Sequence, residues 1–296
     1  MLPQRLTGEH REPRSVARRW RLAGLALCAA ALVALAYGNV LLWLWRAWTT
    51  DPYFGHGLLV APVAAFFAWR SRDAFMIDET QTPSALRLLA TLPAALLYVG
   101  GIVYHETFLL AYSLVALLAG VAIVLLGIGR ARAVAWPLGL LLFAIPPPGL
   151  VAVGATLQWI AVGSASVVMR AFGAPFEQDG LILSAGGATF EVAPLCSGLS
   201  GCISILFAGS VLAALSPLRP RGRALLVALA VPLVLLANAI RIALLVVVGA
   251  RYGTGASEGI LHATSDVVLF LLALAALIGI RAWMMTRVPQ RRPADG

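Results

Sequence analysis

Long charge-free runs alternate along the chain with short polar stretches in which arginine recurs, and this spacing predicts membrane-spanning helices. The first run, Leu22 to Trp45, follows a polar stretch carrying Arg11, Arg14, Arg18, Arg19 and Arg21. It is long enough to cross a hydrocarbon core of about 30 Å. It lacks a small-x-small cleavage pattern leading into a soluble domain, so it is expected to be retained as the first span. A second span is expected from about Gly57 to Trp69, ending at Arg70 and Arg72. A third runs from Leu88 to Tyr104, and a fourth from Thr107 to Gly129, ending at Arg130 and Arg132. From Ala133 to Met169 no residue is charged, which is too long for one helix. Pro146-Pro-Pro-Gly149 must interrupt this stretch, because proline removes a backbone donor and clashes with the preceding turn. A fifth span is placed before the prolines. Leu150 to Phe172 after them reads as an interfacial or re-entrant helix, since irregular backbone in a membrane must be covered by protein or water. Gly173 to Glu191 alternates turn residues with Leu181, Leu183 and Phe190 and reads as a short β-hairpin or loop. A sixth span begins near Cys196, a seventh covers Ala224 to Ala250, and an eighth runs from about His262 to Ile280.

The fold class that follows is an all-α polytopic membrane protein. It has about eight transmembrane helices, a broken, re-entrant or interfacial helix, and a short extracytoplasmic loop or hairpin. Because arginine marks the cytoplasmic side of such spans, both termini are expected inside the cell. Residues 1–21 and 287–296 are then cytoplasmic basic tails around a single integral-membrane domain, 22–286. Composition agrees: 12% of the 296 residues are charged, against about 25% in soluble domains. The net charge of +9 would suggest nucleic acid in a soluble protein, but here the basic residues flank apolar runs, so nucleic acid is not expected as a partner and membrane lipid is. All the basic residues except the histidines are arginines, so no lysine Schiff base can form. Cys28, Cys196 and Cys202 include no C-x-x-C pair, which leaves neither a disulfide framework nor a zinc site. No cofactor or metal is expected.

Cys196 lies where a polar, glycine-broken stretch gives way to a charge-free run, so its thiol is placed at the water boundary of a helix start. The exposed N–H groups and the dipole of a helix N-terminus lower a thiol's pKa toward neutrality, which would make it a nucleophile. Plain packing is the commoner role of a membrane cysteine and is assigned to Cys28 and Cys202. His262 opens the eighth span at the same outer boundary. Arg241 stands 17 residues beyond Ala224, a rise of roughly 25 Å that brings it to the outer leaflet as well. An arginine within a span is costly and marks a functional site, unless its long stem carries the charge to the interface. A thiol, an imidazole and a guanidinium at one depth are the parts of cysteine-based acyl transfer. Asp266, one turn after His262, is placed to orient its ring, and Asn238 lies one turn before Arg241. Glu191 and Ser197 flank the cysteine, and His56 sits between two glycines at the outer boundary.

These residues resemble the exosortase and archaeosortase family of membrane-embedded cysteine transpeptidases. Glu191-x-x-x-x-Cys196-Ser-Gly-Leu resembles its nucleophile motif, Asn238-Ala-Ile-Arg241-Ile its arginine motif, and His262 with Asp266 its histidine motif. Tyr53-Phe-Gly-His56-Gly looks like its tyrosine-histidine-glycine segment, so the likeness covers most of Tyr53 to Phe270. Ser200 departs from the arginine that many members carry after Cys-Ser-Gly-x, which leaves the subfamily and its tag open. The resemblance implies an enzyme of the bacterial inner membrane with its site facing outward. Its partners would be exported proteins bearing a C-terminal tag: a recognition motif, often of Pro-Glu-Pro type, a transmembrane helix and an arginine cluster. It implies Cys196 as nucleophile, Arg241 as oxyanion or substrate stabiliser and His262 as acid and base, with an unknown acceptor for the acyl group. An intramembrane cysteine protease that hydrolyses its substrate would use the same residues. A transporter or channel would also use intramembrane Arg, Asn and Asp beside proline-broken helices, though no repeat relates the two halves.

Overall fold

The computed structural model of the protein describes residues 13–73, 82–253 and 260–287. The helices are α1 (Pro13–Thr50), α2 (Gly57–Arg70), α3 (Ser84–Leu89), α4 (Leu92–Val103), α5 (Thr107–Leu141), α6 (Leu150–Ala171), α7 (Leu199–Ala214), α8 (Pro220–Tyr252) and α9 (Ile260–Thr286). Three short strands, β1 (Glu177–Asp179), β2 (Ile182–Ala185) and β3 (Ala188–Glu191), separate α6 from α7. Seven helical stretches among the described residues are long and apolar enough to cross a membrane, and α2 is a shorter apolar helix. Leu35, Leu96, Leu125 and Val151 are among many large apolar side chains that point outward from the bundle. In water this surface would be prohibitive, and in lipid it costs nothing. The chain is a multi-pass, all-α membrane protein.

Helix α5 counts as one helix in length and as two spans in space. Gly127 within it has φ 77° and ψ 167°, a backbone conformation open in practice to glycine alone. Ser113 on one side of it hydrogen-bonds Tyr37, and Ala144 beyond the other receives a bond from Trp48. Tyr37 and Trp48 are both on α1, roughly 17 Å apart along its axis, whereas a straight helix would separate Ser113 from Ala144 by roughly 46 Å. The chain therefore doubles back at Gly127, and its two limbs are the fourth and fifth spans expected from the sequence. Expected spans one to three are α1, α2 and the α3–α4 pair, and spans six to eight are α7, α8 and α9. The second is short: the 14 residues of α2 rise about 21 Å, less than a full hydrocarbon core.

The structure corrects or sharpens three local expectations. Leu150–Ala171, expected as an interfacial or re-entrant helix, is one α-helix without a break, because the prolines end before it begins. Its buried residues Gly154, Gln158, Ala161, Val162, Ala165 and Met169 form a helical stripe. That stripe packs on the sheet and on Ile242 and Val246 of α8, while Val151, Trp159 and Phe172 face outward. The hairpin is a three-stranded antiparallel meander in the order β1-β2-β3. Gly186 and Gly187, both at positive φ, make the tight turn between Ala185 and Ala188. Gly186 also lies so close to α8 that a Cβ there would stand 2.8 Å from the Ala250 carbonyl. The third correction concerns the start of the sixth span. Cys196 sits on a 3-10 turn, Pro194–Ser197, and α7 begins only at Leu199 because Gly198 (φ 80°) breaks the helix between them.

Candidate active site

Helices α7, α8 and α9 pack together around a buried cluster that includes Ile205, Leu226, Ala230 and Leu277. Asn238 and Arg241 lie on α8 just beyond that cluster, and the 3-10 turn carries Cys196 across their face. Asn238 donates through Nδ2 to the Cys196 carbonyl at 2.9 Å. That bond fixes the turn on α8, and Gly198 is required beside it: a Cβ at Gly198 would meet Asn238 Nδ2 at 3.1 Å. The next residue toward the turn, Ser197, is fully buried, with its hydroxyl accepting from the Leu199 amide at 3.4 Å. Ser197 thus shapes the chain between Cys196 and the helix.

Arg241 is 2% exposed, so its stem does not carry the charge out to the interface. Its Nε donates to Ser265 Oγ at 3.0 Å, and one terminal nitrogen forms an ion pair with Asp266 Oδ2 at 3.0 Å. The guanidinium also lies within electrostatic reach of the Cys196 side chain. Sequence spacing had placed Asp266 behind His262. The structure gives its carboxylate to Arg241, because α8 and α9 pack directly on each other at this level. Ser265 was not anticipated; its position beside Asp266 was the available signal. His262 lies in the first turn of α9, and its side chain falls outside the described residues.

A cavity of about 640 Å³ opens beside these groups. Arg241, Asn238 and Asp266 line one side, and Tyr53 and His56 from the loop before α2 line another. Ser200 joins the two by donating to the Pro52 carbonyl at 3.3 Å. Below this polar rim the walls become apolar, with Leu59, Phe207, Val234, Phe270 and Leu274. His56 is thus part of the cavity. Its Nε2 must be the protonated nitrogen, since it lies 3.0 Å from the Phe143 carbonyl, which can only accept. Burial holds His56 below its ordinary value of 6.5, against the pull of the Phe143 and Tyr53 backbone. Burial, and then the negative charges of Asp51 and an ionised Cys196, push the Tyr53 phenol up. Glu191 is not brought to the cavity. It ends β3 opposite Ile182 with its side chain exposed. Among the described residues no three His, Cys, Asp or Glu side chains gather as metal ligands would.

The sequence model that describes transmembrane exosortases matches residues 48–279, more than three quarters of the chain. The chain belongs to the transmembrane exosortase family. No curated protein and no solved structure matches it. The exosortase match begins at the end of α1 and runs into the last third of α9, so the 3-10 turn, both polar faces of α8 and α9, and the Tyr53–His56 loop all fall inside it. The α6 helix and the meander, which cover the protruding end of α8, fall inside it too. In this exosortase the site is assembled from the loop before α2, the turn before α7, and the facing sides of α8 and α9.

Proposed function

We propose that the chain is a cysteine-dependent protein-sorting transpeptidase, acting at the extracytoplasmic face of a bacterial inner membrane. Its substrates are exported proteins with a C-terminal motif, transmembrane helix and arginine cluster. The Cys196 thiolate attacks the carbonyl of the scissile peptide, and the negative charge that develops on the oxygen is met by Arg241. His262 protonates the departing amine as the C–N bond breaks, leaving a thioester on Cys196. It then takes a proton from the incoming acceptor, whose attack on the thioester releases the sulfur. The observation that carries this reading is a buried guanidinium that lines a cavity with apolar deeper walls and lies within electrostatic reach of the Cys196 side chain. A polar rim above apolar walls suits a substrate whose cleavage motif joins a membrane helix.

The test is Cys196→Ala in the native host, followed by sizing of proteins that carry such C-terminal tags. Loss of processing is expected, and unchanged processing removes the enzyme reading. His262→Ala is expected to let the first half of the reaction run slowly and to stall the second. A thioester between Cys196 and the N-terminal part of the substrate should then accumulate, detectable as a hydroxylamine-sensitive band of the mass of the enzyme plus the substrate without its released C-terminal fragment.

A further inference from the structure

At the end of the bundle away from the cavity, two arginines converge on one dipeptide. Arg281 of α9 donates through Nε to Ser216 Oγ at 2.6 Å and through a terminal nitrogen to the Leu215 carbonyl at 3.3 Å. Arg223 of α8 donates to the Ser216 carbonyl at 3.0 Å. Ser216 itself is 2% exposed and is anchored to the Leu212 carbonyl. Every acceptor in this arrangement is neutral. The sequence has no acidic residue between Glu191 and Glu258, nor between Asp266 and Asp295. Among the described residues, neither Arg223 nor Arg281 has a carboxylate partner, and Arg219 and Arg221 add positive charge on the same turn.

Arginines that merely mark a cytoplasmic end point into water and stay apart. Arg281 does the reverse. It stands about one and a half turns inside the end of an apolar helix and turns toward the neighbouring helices, where a second guanidinium is held by the same residue. Gathering like charges without an acid is unfavourable unless an anion completes the set. Apolar groups adjoin the cluster: Gly222 packs between Leu218 and Met284, and Trp283 on α9 is exposed to the surroundings of the bundle. Paired guanidiniums above an apolar wall at a helix junction match a phosphate attached to acyl chains. We propose that the α7–α8 turn and the end of α9 bind the phosphate of an anionic phospholipid through Arg223 and Arg281.

The experiment uses the full chain purified in neutral detergent. Phosphatidylglycerol, phosphatidylcholine with the same acyl chains, and inorganic phosphate are each titrated and followed by native mass spectrometry and thermal unfolding. Phosphatidylglycerol is expected to bind and to raise the unfolding temperature, and phosphatidylcholine to do neither. Arg223→Gln and Arg281→Gln should each weaken phosphatidylglycerol binding about fivefold, while Arg70→Gln with Arg72→Gln should leave it unchanged. Arg223 is exposed, so its variant remains readable if Arg281→Gln does not fold. Equal loss in the Arg70 and Arg72 variant, or equal affinity for both lipids, would overturn the proposal. Protection by inorganic phosphate alone to the same degree would assign the arginines to a free anion and overturn the lipid reading.

Discussion

Arg241 is almost fully buried, yet the Asp266 carboxylate that balances it is 59% exposed, so the pair is asymmetric. The arginine depends on the aspartate far more than the reverse. An isolated Asp266 would simply be hydrated, whereas an isolated Arg241 would be a charge in an apolar helix pair with Ser265 and the Cys196 side chain as its neighbours. Asp266→Asn keeps the shape and removes the counter-charge. Removing one partner of a fully buried pair costs about 3–5 kcal/mol, and solvent screening at the aspartate reduces this to about 1–3 kcal/mol. Thermal unfolding in detergent measures it, and substrate processing should fall with it as the guanidinium shifts from the sulfur. Ser265→Ala removes a neutral acceptor and should cost about 1 kcal/mol. His56 gives a second prediction at this scale. Its pKa in the folded protein lies below 6.5, so the unfolded chain takes up a proton first as the pH falls. Stability should therefore decline as the pH drops through 6.5 and level off below the lowered folded value. His56→Gln should flatten that part of the profile in a pH series of unfolding temperatures.

Two glycines decide how elements meet. At Gly198 the left-handed backbone lets the chain leave the 3-10 turn and enter α7, and Asn238 presses against the site a Cβ would occupy. Gly198→Ala should cost about 1–2 kcal/mol in backbone strain and loosen the Asn238 bond to the Cys196 carbonyl. Processing should drop further than stability does, since the Cys196 turn is what moves. At Gly127 alanine meets a conformation that costs about 1–3 kcal/mol, and the reversal between the two limbs of α5 should weaken, lowering the unfolding temperature while the Cys196 turn stays intact. These two glycines also mark the limit of what apolar patterning encodes. The arginines at 130 and 132 were enough to place a reversal near Gly127, because charge cannot stay in the hydrocarbon. No pattern of apolar residues distinguishes a 3-10 turn from the first turn of a helix, so the start of α7 was placed at Cys196. The sequence predicts only a short hairpin or loop where the meander lies for a similar reason: Gly180 and Gly186-Gly187 signal turns, but β1 is three exposed residues with no alternation to reveal a strand. The partner of Asp266 was hidden because spacing along one helix shows a neighbour at four residues and says nothing of the helix packed against it.

For the molecule as a whole, the distribution of charge sets its orientation. The turns after α2 and between α7 and α8, together with the end of α9, carry Arg70, Arg72, Arg219, Arg221, Arg223, Arg281 and Arg287. The Cys196 turn lies on the other end of α8, about 31 Å from Pro220 as Arg241 is. Arginine is retained on the cytoplasmic side of short loops, so the orientation we propose has the cavity facing outward. The three cysteines make the orientation measurable. Cys28 is exposed on the apolar surface of α1, Cys202 is buried in the α7–α8–α9 cluster, and Cys196 is half-buried on the 3-10 turn, next to Leu195, which lines the cavity. In intact cells a maleimide that cannot cross membranes should therefore modify Cys196 slowly and leave the other two unmodified, with Cys28→Ser and Cys202→Ser used to assign the signal. Substituting Tyr53 with alanine widens the rim and should speed the labelling. Modification of Cys196 in inverted vesicles but not in intact cells would place the site on the cytoplasmic face. Exported substrates could not then reach it from the side to which they are delivered.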